Sequence, residues 1–365
     1  MEWNPQQDNA LKEVEKWFKT ETKTKSIFRI FGYAGTGKST LARHFAEHID
    51  GTVCYAAYTG KAALVMRNNG CTGATTIHRL IYRVNVDKSG RATFSLNRAS
   101  PLMNASLIIV DECSMVDEKI AKDLLSFGVP ILVLGDPAQL PPVNGAGYFT
   151  EADPDVMLTE IHRQASDNPI IHLATRVRNG LQLEYGDYGE SRIIQHIDDD
   201  IIFEADQVLV GRNNTREMFN RHIRNTLGIT DLYPTKDEKI ICLKNDHNIC
   251  IYNGGMFSVK KRYDKKHESD FCDLSVLNED EESQPIFVSV HKSFFNSQYQ
   301  KPKHWSKLKD TQEFDFGYAI TCHKSQGSQW ENILVIDESW CFRDDWNRWA
   351  YTAITRASEK ITLIK

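Results

Sequence analysis

The sequence lacks the features that mark several classes of protein. Its eight cysteines form no C-x-x-C pair, which argues against a zinc ribbon, an iron–sulfur cluster or a disulfide scaffold and suits a reducing cytoplasm. No apolar run approaches the roughly 18 residues that a membrane helix needs. Residues Met1–Pro5 have no basic region followed by an apolar one, so we expect no signal peptide and no membrane partner.

An excess of positive charge is also absent. The net charge is −5 over 365 residues, so any site for nucleic acid has to be a local groove rather than a basic surface. Hydrophobic residues make up 41% and charged residues 25%, which is ordinary for a globular chain with more than one buried core. The length predicts about two domains.

Short, continuous apolar runs predict strands that are buried on both faces. These runs are Ile27–Phe31, Leu107–Val110, Ile131–Leu134, Gln207–Val210 and Ile333–Ile336. After the first run, Leu41, Phe45 and Ile49 recur at helical spacing, which predicts a helix. Strands that are separated by helical patterns favour the α/β class with parallel sheets.

Two segments interrupt this pattern. Tyr82–Ser100 has two β-like runs around a polar turn, which predicts a β-hairpin. Residues 232–311 mix short β-like runs with basic clusters and an acidic run, so we predict a small β-rich insertion with a mobile surface loop. The clusters Lys260–Arg262 and Lys301–Lys309 favour a solvated charged face over a lining for DNA.

A phosphate-binding loop of the form G-x-x-x-x-G-K-[ST] spans Gly32–Ser39, between a predicted strand and a predicted helix. Its glycines allow backbone N–H groups to point at phosphate oxygens at a helix N-terminus. Lys38 can reach the β- and γ-phosphates, and the Ser39 hydroxyl can ligate Mg²⁺. The loop therefore predicts ATP and Mg²⁺ as ligands.

A second predicted strand ends in two carboxylates, Asp111 and Glu112. Asp111 can hold the Mg²⁺ shell together with Ser39, and Glu112 can orient and deprotonate the attacking water. A strand in the far half of the chain ends in a similar pair, Asp337 and Glu338. We interpret that second pair as a structural strand end, because it lies far along the chain from the phosphate-binding loop.

The motifs, taken in order, resemble those of RecD-like helicases, the 5′→3′ branch of superfamily 1, and especially the small bacteriophage enzymes of the Dda type. The similar blocks are Gln7–Ala10, Gly32–Ser39, Ala57–Ala63, Thr75–Leu80, Asp111–Met115, Gly135–Val143, Leu158–Gln164, Tyr318–Gly327 and Tyr351–Ala357. They cover nearly the whole chain except residues 232–311. Pif-type helicases are a near neighbour, but Gly135-Asp136-Pro137 and the short chain look more like the RecD and Dda types.

This resemblance implies two RecA-like P-loop NTPase domains, at about 1–160 and 161–365. The first would carry the hairpin at about 82–100 as a strand-separating pin, and the second would carry the β-rich insertion. ATP would bind between the domains, and single-stranded DNA would cross both. The resemblance further implies a monomer in a bacterial or phage-infected cytoplasm that acts on single-stranded and fork DNA, with replication or recombination proteins as partners.

The resemblance also assigns the ATP site. The implied catalytic residues are Lys38, Asp111, Glu112, Gln139, Arg163 and Arg356. The implied nucleotide-binding residues are Gln7, which would read adenine, and Gly35, Thr36, Gly37, Lys38, Ser39, Thr40 and Gly327. Arg163 and Arg356 would be arginine fingers, a role that suits a guanidinium because it stays charged and binds phosphate oxygens bidentately.

Candidate DNA contacts lie in the matched motifs and in the hairpin. They are Thr59, Lys61, His78, Phe94, Thr321, His323 and Ser325. Small polar groups at loop ends suit phosphate contacts that do not read sequence, and aromatic rings can stack on bases. Tyr58 is a further candidate for stacking.

Two other functions fit part of this pattern. A translocase ATPase that is stimulated by single-stranded nucleic acid would share the ATP motifs without unwinding duplexes, and a strand-displacement assay would distinguish it. A regulatory P-loop protein would share the phosphate-binding loop, and ATPase activity independent of DNA would favour it. The two arginine motifs and the DNA-contact motifs speak against the regulatory protein.

Overall fold

The computed structural model describes residues 3–86, 92–141, 147–161, 167–244, 246, 249, 251, 253–263, 270–279, 284–296, 308 and 311–365. Within these residues, strands form two six-stranded sheets, a five-stranded sheet and a two-stranded hairpin. The prediction of an α/β chain with a small hairpin and a β-rich insertion is therefore confirmed. No helix in this part of the chain is long and apolar enough to span a bilayer.

The first half of the chain builds a parallel sheet around the phosphate-binding loop. The strands in this half of the chain are β1 (Ile27–Gly32), β2 (Thr52–Ala57), β3 (Thr75–Thr76), β4 (Tyr82–Val86), β5 (Ala92–Leu96), β6 (Ala105–Asp111), β7 (Ile131–Gly135) and β8 (Val156–Leu158). Its helices are α1 (Pro5–Lys16), α2 (Lys38–Ala46), α3 (Gly60–Asn68), α4 (Ile77–Ile81) and α5 (Glu118–Leu125). The sheet has the order β3-β2-β6-β7-β1-β8, and its pairings are parallel.

Strand β6 shows why continuous apolar runs occupy the middle of this sheet. Ile108 and Val110 pack on the side of α4 and α5, whereas Leu107 and Ile109 pack on the side of α1 and α2. Successive side chains of a strand point to opposite faces, so a strand that is covered on both faces needs apolar residues at every position.

The helix predicted after the first strand is α2. Leu41 and Phe45 are buried on it, as the helical spacing indicates. The helix ends at Ala46, so Ile49 lies beyond it and packs partly buried against the same apolar cluster.

The second half contains the remaining strands and helices. The strands are β9 (Gly186–Tyr188), β10 (Ser191–Ile194), β11 (Gln207–Val210), β12 (Lys239–Cys242), β13 (Met256–Tyr263), β14 (Phe271–Asn278), β15 (Ile286–His291), β16 (Phe314–Phe316), β17 (Ala319–Thr321), β18 (Trp330–Ile336) and β19 (Ala357–Ile364). The helices are α6 (Pro169–Arg178), α7 (Asp199–Glu204), α8 (Asn213–Thr226) and α9 (Trp346–Ile354).

Six of these strands form the second sheet, in the order β17-β11-β18-β19-β10-β9. The pairings among β17, β11, β18, β19 and β10 are parallel, and β9 is antiparallel to β10. The predicted strands Gln207–Val210 and Ile333–Ile336 are adjacent in it. Because β8 ends at Leu158 and α6 begins at Pro169, we propose the same division as the sequence predicts, 1–160 and 161–365.

The β-rich insertion is an antiparallel sheet of order β15-β14-β13-β12-β16. Strand β16 lies at Phe314–Phe316, a few residues beyond the predicted end at 311. Residues 280–283, in the predicted mobile loop, and all of 301–309 except residue 308 lie outside the described residues.

The predicted hairpin is formed by β4 and β5, which pair antiparallel from Tyr82 opposite Leu96 to Val86 opposite Ala92. Helix α4 leads directly into β4, and the Tyr82 hydroxyl donates to Asp123 of α5 at the base of the hairpin. The polar turn at 87–91 lies outside the described residues.

Candidate active site at the cleft between the two sheets

The phosphate-binding loop connects β1 to the N-terminus of α2. Gly35 and Gly37 take left-handed backbone angles, with φ of 77° and 80°, which residues with a Cβ adopt only at a cost. Gly37 is the N-cap of α2, so the first N–H groups of the helix face the loop. Lys38 donates from Nζ to the carbonyl oxygens of Gly32 at 2.7 Å and Tyr33 at 3.0 Å. Thr40 follows, half-buried, in the first turn of α2.

The predicted metal ligands are brought together. The Ser39 hydroxyl donates to Asp111 Oδ2 at 2.7 Å, so both oxygens face one position beside the loop. Burial, followed by the charge of Glu112, raises the pKa of Asp111, and the Ser39 hydrogen bond opposes this shift. One carboxylate and one hydroxyl beside a phosphate site are the protein ligands that Mg²⁺ commonly uses, so these residues fit the ion.

Glu112 lies where β6 ends and faces the second half of the chain. Its backbone has φ of 51°, a left-handed conformation that is uncommon for a residue with a side chain. Arg356 Nη1 lies 3.8 Å from Glu112 Oε1. In the amide orientation that satisfies both neighbours, Gln139 donates to Glu112 Oε2 at 3.3 Å and accepts from Arg356 Nη2 at 3.2 Å.

A cavity of about 290 Å³ lies between the two halves and contains this cluster. Its lining includes Lys38, Ser39 and Glu112 from the first half and Gly327 and Arg356 from the second. The cleft thus combines a phosphate-binding loop, a carboxylate pair and an arginine from the opposite domain.

Gln7, to which the resemblance assigns the reading of adenine, has a buried and hydrogen-bonded side chain. Only 1% of it is exposed. Its amide oxygen accepts from the Asn4 N–H at 3.1 Å, and its amide nitrogen donates to the Thr36 carbonyl at 3.0 Å. Thr36 is also buried, with its hydroxyl donating to the Tyr33 carbonyl. In this conformation, both side chains therefore support the phosphate-binding loop from its buried side.

The sequence did not single out the polar contacts that join α9 to the first half. The Tyr351 hydroxyl donates to Asp136 Oδ2 at 2.6 Å and accepts from the Ala34 N–H at 2.8 Å. The Leu140 N–H donates to the Thr352 hydroxyl at 2.8 Å. These residues stand inside the matched motifs, but no pattern in the sequence indicates that they meet.

Two predicted DNA contacts from the first half, Thr59 and Lys61, lie at the boundary with the second. Thr59 caps α3 and its hydroxyl reaches the Gly327 carbonyl at 3.4 Å. The Lys61 ammonium lies 4.2 Å from the ring centre of Trp330. His78 lies farther along, between the rings of Tyr58 and Tyr82.

The predicted DNA contacts of the second half follow β17. Thr321 ends that strand, and His323 packs against Phe342, where burial lowers its pKa and favours the neutral ring. Ser325 has no exposed surface, and its hydroxyl donates to the Cys322 carbonyl at 2.7 Å. The side chain of Ser325 therefore cannot reach a DNA strand in this conformation, because its hydroxyl is needed to close a buried turn. The side chain of Phe94 and all of Arg163 lie outside the described residues.

The second carboxylate pair has a structural environment. Glu338 is 4% exposed and accepts from the N–H groups of Gly211 and Arg212, from Arg212 Nε and from the Thr215 hydroxyl, at 2.6–2.9 Å. Burial opposes its ionisation, yet the hydrogen bonds from Thr215 and Arg212 hold the pKa of Glu338 below its ordinary value. These contacts fasten the start of α8 to the end of β18.

Comparison with known proteins identifies the family. The AAA domain model matches residues 2–199, and the UvrD-like helicase C-terminal domain model matches residues 316–364. The chain is 29% identical to the ATP-dependent RecD2 DNA helicase of Deinococcus radiodurans over 361 residues, covering 90% of this chain and 45% of that protein. It is 34% identical to the ATP-dependent DNA helicase Dda of Enterobacteria phage T4 over 189 residues, covering 48% of this chain and 42% of that protein.

Among solved structures, the Bacteroides Pif1 helicase bound to single-stranded DNA has the same fold. The TM-score is 0.55 at 18% identity, over 99% of this chain and 92% of that one. The chain belongs to the AAA domain family and is a distant member of the RecD-, Dda- and Pif1-like helicases of superfamily 1, an ATP-dependent family. It spans less than half the length of the two curated relatives.

Proposed function

We propose that this chain is an ATP-dependent 5′→3′ DNA helicase, which moves along single-stranded DNA and unwinds duplex DNA. The observation that carries the proposal is the cluster of Glu112, Gln139 and Arg356 across the cleft. An arginine that lies beside the hydrolytic carboxylate, but belongs to the other domain, makes hydrolysis depend on the closeness of the two domains. This dependence is what converts ATP turnover into movement.

In the proposed ATP site, each group has a distinct role. The N–H groups at the start of α2 and the Lys38 ammonium bind the β- and γ-phosphates. Ser39 and Asp111 would hold Mg²⁺, and the bound ion would neutralise charge on the phosphates. Glu112 orients the attacking water and accepts its proton. Arg356 stabilises the charge that develops on the γ-phosphoryl oxygens. Arg163 remains the proposed second finger.

The proposed DNA path uses Thr59, Lys61, His78, Thr321 and His323. Thr59 and Lys61 contact Gly327 and Trp330 of the second domain, so a strand that crosses them passes from one domain to the other. A neutral His323 suits contact with sugar or base without fixed charge. The related T4 protein is named a DNA helicase, and the related Bacteroides Pif1 binds single-stranded DNA. Both names support DNA as the nucleic acid along which the chain moves.

The direction of movement rests on the family resemblance, because both directions use the same two-domain cleft. The motifs Thr75–Leu80, Gly135–Val143 and Tyr318–Gly327 look like those of the 5′→3′ branch. The hairpin of β4 and β5 is the proposed pin. Fork DNA is then the proposed working substrate.

The first experiment compares ATPase rates with no polynucleotide, with single-stranded DNA and with single-stranded RNA. The second offers two partial duplexes, one with a 5′ tail and one with a 3′ tail. We expect stimulation by single-stranded DNA and unwinding of the 5′-tailed duplex alone. Unwinding of the 3′-tailed duplex alone would refute the direction, and ATPase activity that ignores DNA would support a regulatory protein instead.

Shortening the hairpin across Asp87–Thr93 separates a helicase from a translocase. We expect ATPase stimulation by single-stranded DNA to remain and strand displacement to be lost. A wild-type protein that is stimulated by DNA but displaces no strand would be a translocase. Loss of both activities in the shortened variant would mean that the hairpin belongs to the core of the first domain.

A further inference from the structure

One helix of the second domain holds the segment that carries Gln139. The Tyr351 hydroxyl of α9 donates to Asp136 Oδ2 at 2.6 Å, and the Thr352 hydroxyl accepts from the Leu140 N–H at 2.8 Å. Gln326, also from the second domain, donates to the Leu140 carbonyl at 2.6 Å. Hydrogen bonds therefore hold both ends of the segment from Asp136 to Leu140 against the opposite domain.

Asp136 sets the geometry of the turn between these two ends. Its Oδ1 accepts from the Ala138 N–H at 3.0 Å, and its carbonyl accepts from the Gln139 N–H at 3.3 Å. A displacement of the Asp136 carboxylate would therefore move Gln139, which lies between Glu112 and Arg356.

The same phenol reaches the phosphate-binding loop. Tyr351 Oη accepts from the Ala34 N–H at 2.8 Å, so one oxygen contacts both the loop and the segment that carries Gln139. Tyr351 is 1% exposed, Thr352 0% and Asp136 6%. A buried hydrogen-bonding group that loses its partner is costly, so these contacts hold their groups in fixed positions.

We propose that the hydroxyls of Tyr351 and Thr352 are positioning groups, which we name the α9 clamp, and that they transmit movement of the second domain to Gln139 and to the phosphate-binding loop. Helix α9 ends at Ile354 and Arg356 follows two residues later, so the clamp and the arginine move as one unit. The clamp does not touch the reacting atoms. This inference rests on the ATP-driven function proposed above.

The protonation chemistry of Asp136 and Tyr351 supports this role. Burial raises the pKa of Asp136, whereas the charge of Lys38 and the hydrogen bond from Tyr351 act to lower it. Burial and the neighbouring carboxylate also raise the pKa of Tyr351, so the phenol keeps its proton and remains a donor. A phenylalanine at this position would keep the ring and its packing while removing the contact to both partners.

The test compares Tyr351→Phe and Thr352→Val with wild type, in steady-state ATPase assays with and without single-stranded DNA. We expect Tyr351→Phe to lower kcat by about 10- to 100-fold, because small displacements of catalytic groups have effects of this size. The KM for ATP should change by less than about threefold, since the phosphate-binding groups remain. Thr352→Val should lower kcat in the same way by about 3- to 10-fold, because the Leu140 N–H loses its acceptor.

A matched control is Tyr188→Phe, which removes a phenol hydroxyl in the same domain. That hydroxyl donates to the Glu184 carbonyl at 3.0 Å, on an outer strand of the second sheet. The Tyr188→Phe variant should keep the wild-type kcat. In addition, Asp136→Asn combined with Tyr351→Phe should lose little more than the larger single loss, because the two changes break one shared contact.

A lower melting temperature with wild-type kcat in Tyr351→Phe would overturn the proposal, since the hydroxyl would then serve only domain packing. If Tyr351→Phe does not fold, Thr352→Val decides, and an unchanged kcat in that variant would overturn the clamp. The kcat values of Tyr351→Phe and Thr352→Val are each divided by the kcat of the wild type. Wild-type ATPase activity that single-stranded DNA does not stimulate would contradict the helicase proposal. The effect of the clamp variants on kcat could still be measured in that case.

Discussion

Strand β6 of the first sheet and strand β18 of the second both lead into an aspartate followed by a glutamate, Asp111-Glu112 and Asp337-Glu338. Each strand is third from one edge of a six-stranded sheet. The environments of the two glutamates differ. Glu112 faces the cleft near Arg356, whereas Glu338 is 4% exposed and is enclosed by donors of its own domain.

The difference shows that the neighbouring loop decides what a strand-end carboxylate does. Beside β6 lies the phosphate-binding loop, whose Ser39 contacts Asp111. Beside β18 lies β11, and the N–H groups of Gly211 and Arg212, which link β11 to the start of α8, bind the Glu338 carboxylate. A carboxylate at a helix N-terminus is stabilised by the helix dipole, so Glu338 is held as a structural anion.

The largest effect should come from removing the arginine that faces the first pair. We expect Arg356→Ala to lower kcat by about 10³- to 10⁵-fold, with a much smaller change in ATP affinity, because a finger acts mainly on the transition state. Single-turnover hydrolysis and nucleotide binding measure the two effects. Arg192→Ala removes a partly exposed ion pair with Glu204 in the same domain and should leave kcat near wild type. Weaker ATP binding with unchanged turnover would contradict the role of Arg356.

The second pair should affect stability instead. We expect Glu338→Gln to lower the free energy of unfolding by about 1–3 kcal/mol at pH 7, because buried donors lose a charged acceptor. Since the pKa of Glu338 is lowered on folding, its stabilisation is present above the ordinary carboxyl pKa and is lost as pH falls through the lower folded value. Urea unfolding of both proteins between pH 7 and pH 3 should show the difference shrinking. A difference that is independent of pH would mean that the charge does not contribute.

Asp111 should show the opposite sign, with a smaller effect. Because burial and the charge of Glu112 raise its pKa, the ionised side chain lowers stability above that raised pKa, and the penalty vanishes as pH falls below the unfolded value. We expect Asp111→Asn to raise the free energy of unfolding at pH 7 by about 0.5–2 kcal/mol while ATP hydrolysis is lost. Thermal unfolding without nucleotide or Mg²⁺ measures this, and a destabilised variant would show that the carboxylate stabilises the fold.

The sequence was sufficient to locate the central strands and the phosphate-binding loop. Continuous apolar runs predicted β1, β6, β7, β11 and β18, because a strand that is covered on both faces needs apolar residues throughout. Short strands such as β9, Gly186–Tyr188, carry no such run and are largely exposed, so the pattern could not show them.

Contacts between distant parts of the chain could not be predicted from the sequence. The bond between Tyr351 and Asp136 joins residues 215 positions apart, and neither spacing nor residue type indicates it. The burial of Gln7 and Ser325 was equally hidden, since an amide or a hydroxyl can serve a ligand or a buried turn with the same letter in the sequence. Motif position predicted the site, but packing determined which side chains reach its surface.

The comparison of the two glutamates provides the most direct test of the account. Glu112→Gln and Glu338→Gln make the same chemical change at the same position in the two sheets, and ATPase activity is measured for both with saturating single-stranded DNA. We predict that Glu112→Gln still binds ATP but loses about 10²- to 10⁴-fold in turnover, the range for a general base. The folded Glu338→Gln variant should keep turnover within about twofold of wild type, because its carboxylate lies outside the cleft. Normal hydrolysis by Glu112→Gln would contradict the account.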